Sequence, residues 1–191
     1  LVIFSAAGAQ PPRRLPGLDM GRAIELEVSP THDKVALHNH RAELIVVDLE
    51  SGQLRRLDAS PHERIQGIAW SPDGQWLAYG FADSPKTSII KLCAPHSGET
   101  WAVTQPVLED IAPSFDPEGK YLYFLSNRTF NPIMGFQDQN HVFLDMTRAY
   151  LAILLADEPT PFMPEDVLEE VAEDDEDESD DSSAEDEVEK K

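Results

Sequence analysis

The chain has 191 residues, one cysteine, and 36 acidic against 15 basic side chains, for a net charge of −21. That length holds one domain, or one domain and a tail. The negative balance argues against nucleic acid, which needs clustered Lys and Arg; the single Cys93 excludes an intramolecular disulfide; and no run of 18 apolar residues is present to cross a membrane as a helix.

In chain order, Leu1 to Ala9 is short, apolar and rich in small residues at its end. It has two readings: the closing strand of a preceding unit, with a connector running to residue 20, or the remnant of an export signal whose basic leading region is missing. From Gly21 a repeat begins. An apolar strand end runs into a proline turn at Val28-Ser29-Pro30, Trp70-Ser71-Pro72 and Phe115-Asp116-Pro117, with the prolines 42 and 45 residues apart. Proline presets φ for the turn and pushes the residue before it into an extended conformation. Asp73-Gly74 and Glu118-Gly119 supply tight turns in the second and third copies. The first copy carries Thr31-His32-Asp33 instead, which predicts a turn built differently.

After each turn an apolar strand is expected, over Lys34 to Asn39, Gln75 to Phe81 and Lys120 to Leu125. β-Branched runs at Glu43 to Asp48 and Ser88 to Cys93 predict third strands. Ser51-Gly52 and Ser97-Gly98 then lead into closing strands at Gln53 to Leu57 and Glu99 to Thr104. The third copy is longer: an insertion over Thr129 to Asn140 precedes expected strands at His141 to Asp145 and Tyr150 to Ala156. Four short strands per repeat, at a period just above 40, describe one blade of a β-propeller. A meandering β-sandwich also spaces strands with turn signals, but it does not demand the same proline-turn-strand pattern every 42 to 45 residues.

The expected fold is therefore all-β: a partial β-propeller of about three four-stranded blades with a disordered acidic C-terminal tail. Residues 1–20 are the end of a preceding blade and a connector. The blades occupy 21–66, 67–111 and 112–158, and 159–191 is a proline-containing, then acidic, linker. Three blades do not close a ring, since propellers take four to eight, so strand edges stay open at both ends. The segment reads as part of a longer chain. In its tail, residues 165–191 hold 16 acidic and 2 basic side chains, −14 of the total charge. Beyond Glu173 no apolar pattern remains to repay the entropy of ordering.

Chemistry-bearing motifs are sparse. His38 and His40 stand two apart in a strand-end pattern, which places two rings on one side, yet no Cys or carboxylate completes a metal set at recognisable spacing. His32, His62 and His96 fall in expected turns, and His141 precedes a strand. The sequence has no Gly-x-Ser-x-Gly elbow, His-Glu-x-x-His pair or phosphate-cradling glycine loop. No catalytic, cofactor-binding or metal residue is assigned. Arg128, beside the insertion of the third repeat, is the candidate contact to a bound chain, because insertions in repeat folds often line the binding face.

The segment Ser71-Pro-Asp-Gly-Gln-Trp-Leu-Ala78 resembles the propeller repeat of TolB, prolyl oligopeptidases and tricorn proteases. Phe115 to Ser126, Arg128-Thr-Phe-Asn-Pro132 and Ala149 to Phe162 resemble the last blades of the second propeller of tricorn-type proteases. The likeness runs from about Gly21 to the tail and is most specific over 115–162. It implies a large cytoplasmic serine protease that degrades peptides and works as a homo-oligomer. In such an enzyme the propeller is a substrate channel, filter and scaffold for catalytic domains further along the parent chain. The family's nucleophile and its partners lie C-terminal to the region resembled, so none is carried over. The alternative is a TolB-like periplasmic propeller, a non-enzymatic protein–protein interaction module; a prolyl-oligopeptidase lid is a third reading. Peptides, the remaining blades and the parent's catalytic domains are the partners implied, with neither nucleic acid nor membrane.

Overall fold

The computed structural model describes residues 1–162 except 6, 9, 63, 64, 130, 131 and 135–140. The chain forms two units, Leu1–Glu158 and Pro159–Lys191. Of the second, residues 159–162 are described, as loop and turn. The disordered stretch expected beyond them lies outside the described residues, as does most of the expected insertion.

All described secondary structure in the first unit is β. A short pair, β1 (Val2–Ile3) and β2 (Arg13–Arg14), comes first. The first four-stranded sheet follows in meander order as β3 (Ala23–Val28), β4 (Lys34–Asn39), β5 (Glu43–Asp48) and β6 (Leu54–Ala59). The second repeats it as β7 (Gln66–Trp70), β8 (Leu77–Ala82), β9 (Ser88–Ala94) and β10 (Glu99–Ala102). The third begins with β11 (Asp110–Phe115) and β12 (Tyr121–Ser126); β13 (Pro132–Met134) and β14 (His141–Phe143) then pair with each other and with no other described strand. β15 (Arg148–Ile153) returns alongside β12, with Leu122 opposite Ala152.

Among the described residues the third sheet thus has three strands where the repeat predicts four, because residues 141–143 join the hairpin rather than the sheet. In the first two sheets the fourth strand starts a few residues after the third. The corresponding stretch after β15 carries Pro159 and Pro161, which have no N–H to give a ladder.

The three proline turns close identically. Ser29 N–H donates to Lys34 O at 2.9 Å, Ser71 N–H to Trp76 O at 2.9 Å, and Asp116 N–H to Tyr121 O at 3.0 Å. Inside that bracket the first turn does differ. Gly74 and Gly119 donate back to Ser71 O and Asp116 O, whereas in the first copy Lys34 donates to His32 O. Asp73 Oδ1 also accepts from the Ser71 hydroxyl and from Gln75 N–H, so Gln75 and Trp76 belong to the turn and β8 starts at Leu77.

Alternation along the strands sends apolar side chains to both faces of each sheet. Ala36, Leu44 and Val46 of the first sheet pack against Leu77, Tyr79 and Cys93 of the second. Ala78 and Ile90 of the second pack against Leu122 and Phe124 of the third. The other face of the first sheet, with Leu37, Ile45 and Val47, is covered by Leu1, Leu15, Leu18 and Met20. Each fully buried Leu or Ile in these layers removes apolar area worth about 1.5–3 kcal/mol.

Candidate functional site

The first strands of the three sheets, β3, β7 and β11, are neighbours in space and form one wall. Each carries a register break near its start: between Ala23 and Glu25, Gln66 and Ile68, and Ile111 and Ser114. Such bulges bend a strand and increase its local twist. Two of them meet closely. A Cβ on Gly67, whose φ is +64°, would lie 3.1 Å from the Ala112 Cα, and Ala112 itself has φ +51°. Glycine at 67 is what allows that approach. On β3, Ile24, Leu26 and Val28 are exposed; Leu26 and Val28, opposite Leu37 and Val35, lie on the face of the first sheet turned away from the second. A depression of about 430 Å³ opens among Glu27, Val28, Trp70, Pro113 and Ser114. Trp70 is held there by its indole N–H, which donates to Glu27 O at 3.1 Å.

Arg128 stands at the end of the third sheet, just after β12. Its Nη2 donates to both carboxylate oxygens of Asp110, at 2.7 and 2.9 Å, and its Nε to the Ser126 hydroxyl at 2.9 Å. The guanidinium stacks over the Tyr150 ring, 4.9 Å from its centre. Asp110 is 1 % exposed, and its backbone exchanges two hydrogen bonds with the Ser88 hydroxyl of the second sheet. Arg128 therefore anchors the start of β11 while its side chain remains 28 % exposed. Arg41 holds the same place in the first repeat, each arginine standing 11 residues after its turn proline. Arg41 binds Glu43 and Asp19, tying the connector to the first sheet. Burial works against ionisation of Glu43, but the Asn39 amide and the Arg41 guanidinium outweigh it and hold the carboxyl below its ordinary range.

Between the first and second sheets, Asp58 of β6 accepts from the Tyr79 hydroxyl at 2.6 Å and pairs with Lys91 at 2.5 Å. The ammonium also lies 4.0 Å from the centre of the Phe81 ring. Burial, then the bond to Asp58, raises the Tyr79 hydroxyl far above the ordinary phenol range. Burial likewise pushes the nearby Cys93 thiol up to about 11. These groups are fixed in the forms that join sheets and are poor candidates for proton transfer. Nothing in the sequence pattern flagged Asp58 or Asp110, because each partner comes from a distant strand. A second cleft, of about 510 Å³, lies between the second and third sheets, lined by Pro72, Trp76, Leu92, Phe115 and Leu154.

The histidine pair does not converge. His38 is buried, with Nε2 3.0 Å from Glu25 Oε2. His40 is exposed, and its Nδ1 accepts from Arg22 N–H. Among the described residues no group of three or more His, Cys, Asp or Glu is arranged to hold a metal ion. Thr31 Oγ1 lies 2.8 Å from His32 Nδ1, but that hydroxyl is spent on the Asp73 carbonyl and serves a turn.

The family model of the tricorn protease second β-propeller domain matches residues 1–191. The chain is 33% identical over 153 residues to tricorn protease homolog 1 of Streptomyces coelicolor, covering 80% of this chain and 14% of that one. It is 34% identical over 154 residues to the tricorn protease homolog of Saccharolobus solfataricus, covering 81% and 14%. The chain thus spans about one seventh of the length of these relatives. The solved structure of the tricorn protease superposes with a TM-score of 0.68 at 25% identity, over 73% of this chain and 14% of that one. A TolB structure from Acinetobacter baumannii, at 17% identity and a TM-score of 0.52 over 75% of this chain and 36% of that one, shares the fold.

Proposed function

The chain belongs to the family of tricorn protease second β-propeller domains, and on that premise we propose that it is the non-catalytic propeller segment of a tricorn-like serine protease that degrades peptides, serving as channel, filter and scaffold. The observation that carries this reading is the wall of first strands. Side by side, β3, β7 and β11 offer an extended surface with a depression at Ser114 and Val28 and backbone irregularities on each strand. A surface that is long, mixed in character and without a convergent charged group suits passage of varied peptides better than capture of one ligand. Blades at 21–66, 67–111 and 112–158, a cytoplasmic location and homo-oligomeric assembly belong to the same proposal. Arg128 enters it as a residue whose exposed side touches passing peptides while Asp110 holds the other.

The test is made in the protein as its gene encodes it. Ser114→Trp and Val28→Trp add bulk to the wall and leave the interior of the sheets untouched. Hydrolysis of peptides of ten or more residues should slow several-fold, while hydrolysis of a short fluorogenic peptide should not. Equal effects on both substrates, or none on either, would refute the channel role. Fractionation of the source cells tests the location.

A further inference from the structure

The three wall strands carry three carboxylates and no lysine or arginine. Two of the three are already matched: Glu25 lies against His38, and Asp110 takes both bonds from the Arg128 Nη2. Glu27 is exposed, and its carboxylate makes no hydrogen bond or ion pair to a described residue. In the register of β3 and β4, Glu27 stands opposite Ala36, on the face packed against the second sheet. Its side chain therefore leaves the backbone on the side of β7. Lys34, two places along β4 on that same face, stands opposite Asp48 of β5.

The surroundings of that carboxylate are apolar and aromatic. The depression of about 430 Å³ takes Val28 and Pro30 from the first repeat, Ile68 and Trp70 from the second and Pro113 from the third. Glu27 is the single charged residue among the described residues that line it. The Trp70 indole is held at one edge by its bond to Glu27 O. A lysine or arginine side chain has the matching build: an aliphatic stem that gains by lying on apolar surface, and a cationic head that stays partly in water. An aromatic neighbour attracts that head, and a carboxylate with no cation of its own adds an ion pair. An acidic side chain in the same place would meet like charge and find no cation on the wall strands.

We propose that the depression beside Glu27 is a subsite for a lysine or arginine side chain of a passing peptide, so that the wall favours basic peptides over acidic ones. The inference rests on the channel reading above and names the substrate class for it. A single exposed carboxylate makes a weak contact, which samples side chains without stopping a chain in transit.

The test uses the protein as its gene encodes it and long, dye-labelled peptides of D-residues, which resist cleavage. One peptide has lysine at every third position and the other glutamine; affinity is read by fluorescence anisotropy at low salt. The lysine peptide should bind about three- to tenfold more tightly. Glu27→Gln, which keeps the shape of the depression, should cut that ratio by about two- to fivefold and leave the glutamine peptide unchanged. Glu50→Gln removes the same single unit of the −21 net charge at an exposed turn outside the lining, and should leave the ratio alone. No preference in the unsubstituted protein, a ratio that Glu27→Gln does not change, or equal losses in the two variants would overturn the proposal. Anisotropy does not use hydrolysis. A preference that depends on Glu27, in a protein whose long-peptide hydrolysis ignores Ser114→Trp, would therefore sink the channel reading and leave the subsite standing; slowed hydrolysis with no preference would do the reverse.

Discussion

Replacing Gly74 and Gly119 by alanine perturbs the same turn in two settings and so isolates how the first sheet seats on the second. Their φ values are +69° and +73°, so alanine pays the left-handed penalty equally at both, about 1–2 kcal/mol. At Gly119 nothing more follows, since the nearest heavy atom to the new methyl is Pro72 Cδ at 4.0 Å. At Gly74 the methyl would overlap Thr31 Oγ1 and come within 2.9 Å of His32 Nδ1 and 3.1 Å of Ser29 Oγ. Thr31 must then give up its 2.9 Å bond to the Asp73 carbonyl, a loss of about 0.5–1.5 kcal/mol, and the neighbouring turn must shift. Gly119→Ala should therefore cost about 1–2 kcal/mol and Gly74→Ala about 2–4 kcal/mol. The difference corresponds to a further fall in Tm of roughly 2–8 °C. Urea unfolding followed by circular dichroism gives both values. Thr31→Ala should cost measurable stability in the parent chain and almost none beside Gly74→Ala. Equal losses at the two glycines, or strictly additive effects of Thr31→Ala and Gly74→Ala, would refute the seating argument.

Asp110→Ala should cost about 2–3 kcal/mol, less than the 3–5 typical of a broken buried pair because Arg128 keeps partial access to water; a loss under about 1 kcal/mol in urea unfolding would show that the pair adds little. Cys93, with its thiol raised to about 11 by burial, should be inert to thiol reagents at pH 8 until the chain unfolds, so that labelling rates follow urea concentration. Hydrogen bonds from the Ser71 hydroxyl to Asp73, and from the Ser51 backbone to Asp48, hold both carboxyls below their ordinary 3.8. A carboxyl lowered on folding stabilises the protein above its unfolded value and loses that contribution as pH falls through the folded one. The urea midpoint should therefore drop on acidification below about pH 4. The drop should be shallower in Asp73→Asn; an unchanged acid limb in that variant would exclude Asp73 as a contributor.

Local patterns were enough for the elements themselves. The proline turn, the glycine after it and the β-branched run that follows are decided within about ten residues, so the strands of the first two sheets were legible in order and nearly to the residue. The third copy departed because pairing is a contest between strands: 148–153 lies alongside β12, and 141–143 pairs with β13 instead. Arg128 was visible as a basic residue beside an insertion. Its bidentate bond to Asp110 was not, since the partner sits 18 residues away on another strand. The same holds for Asp58 with Lys91, brought together from different sheets across 33 residues. The repeat, the all-β character and the family likeness were legible in the residues alone, because each rests on short-range stereochemistry or on matching order along the chain. Which side chains cross from sheet to sheet, and that the first strands form one wall, became visible in the folded chain alone. Those outcomes depend on packing between segments some forty residues apart, where the size of one side chain matters only against the one that meets it.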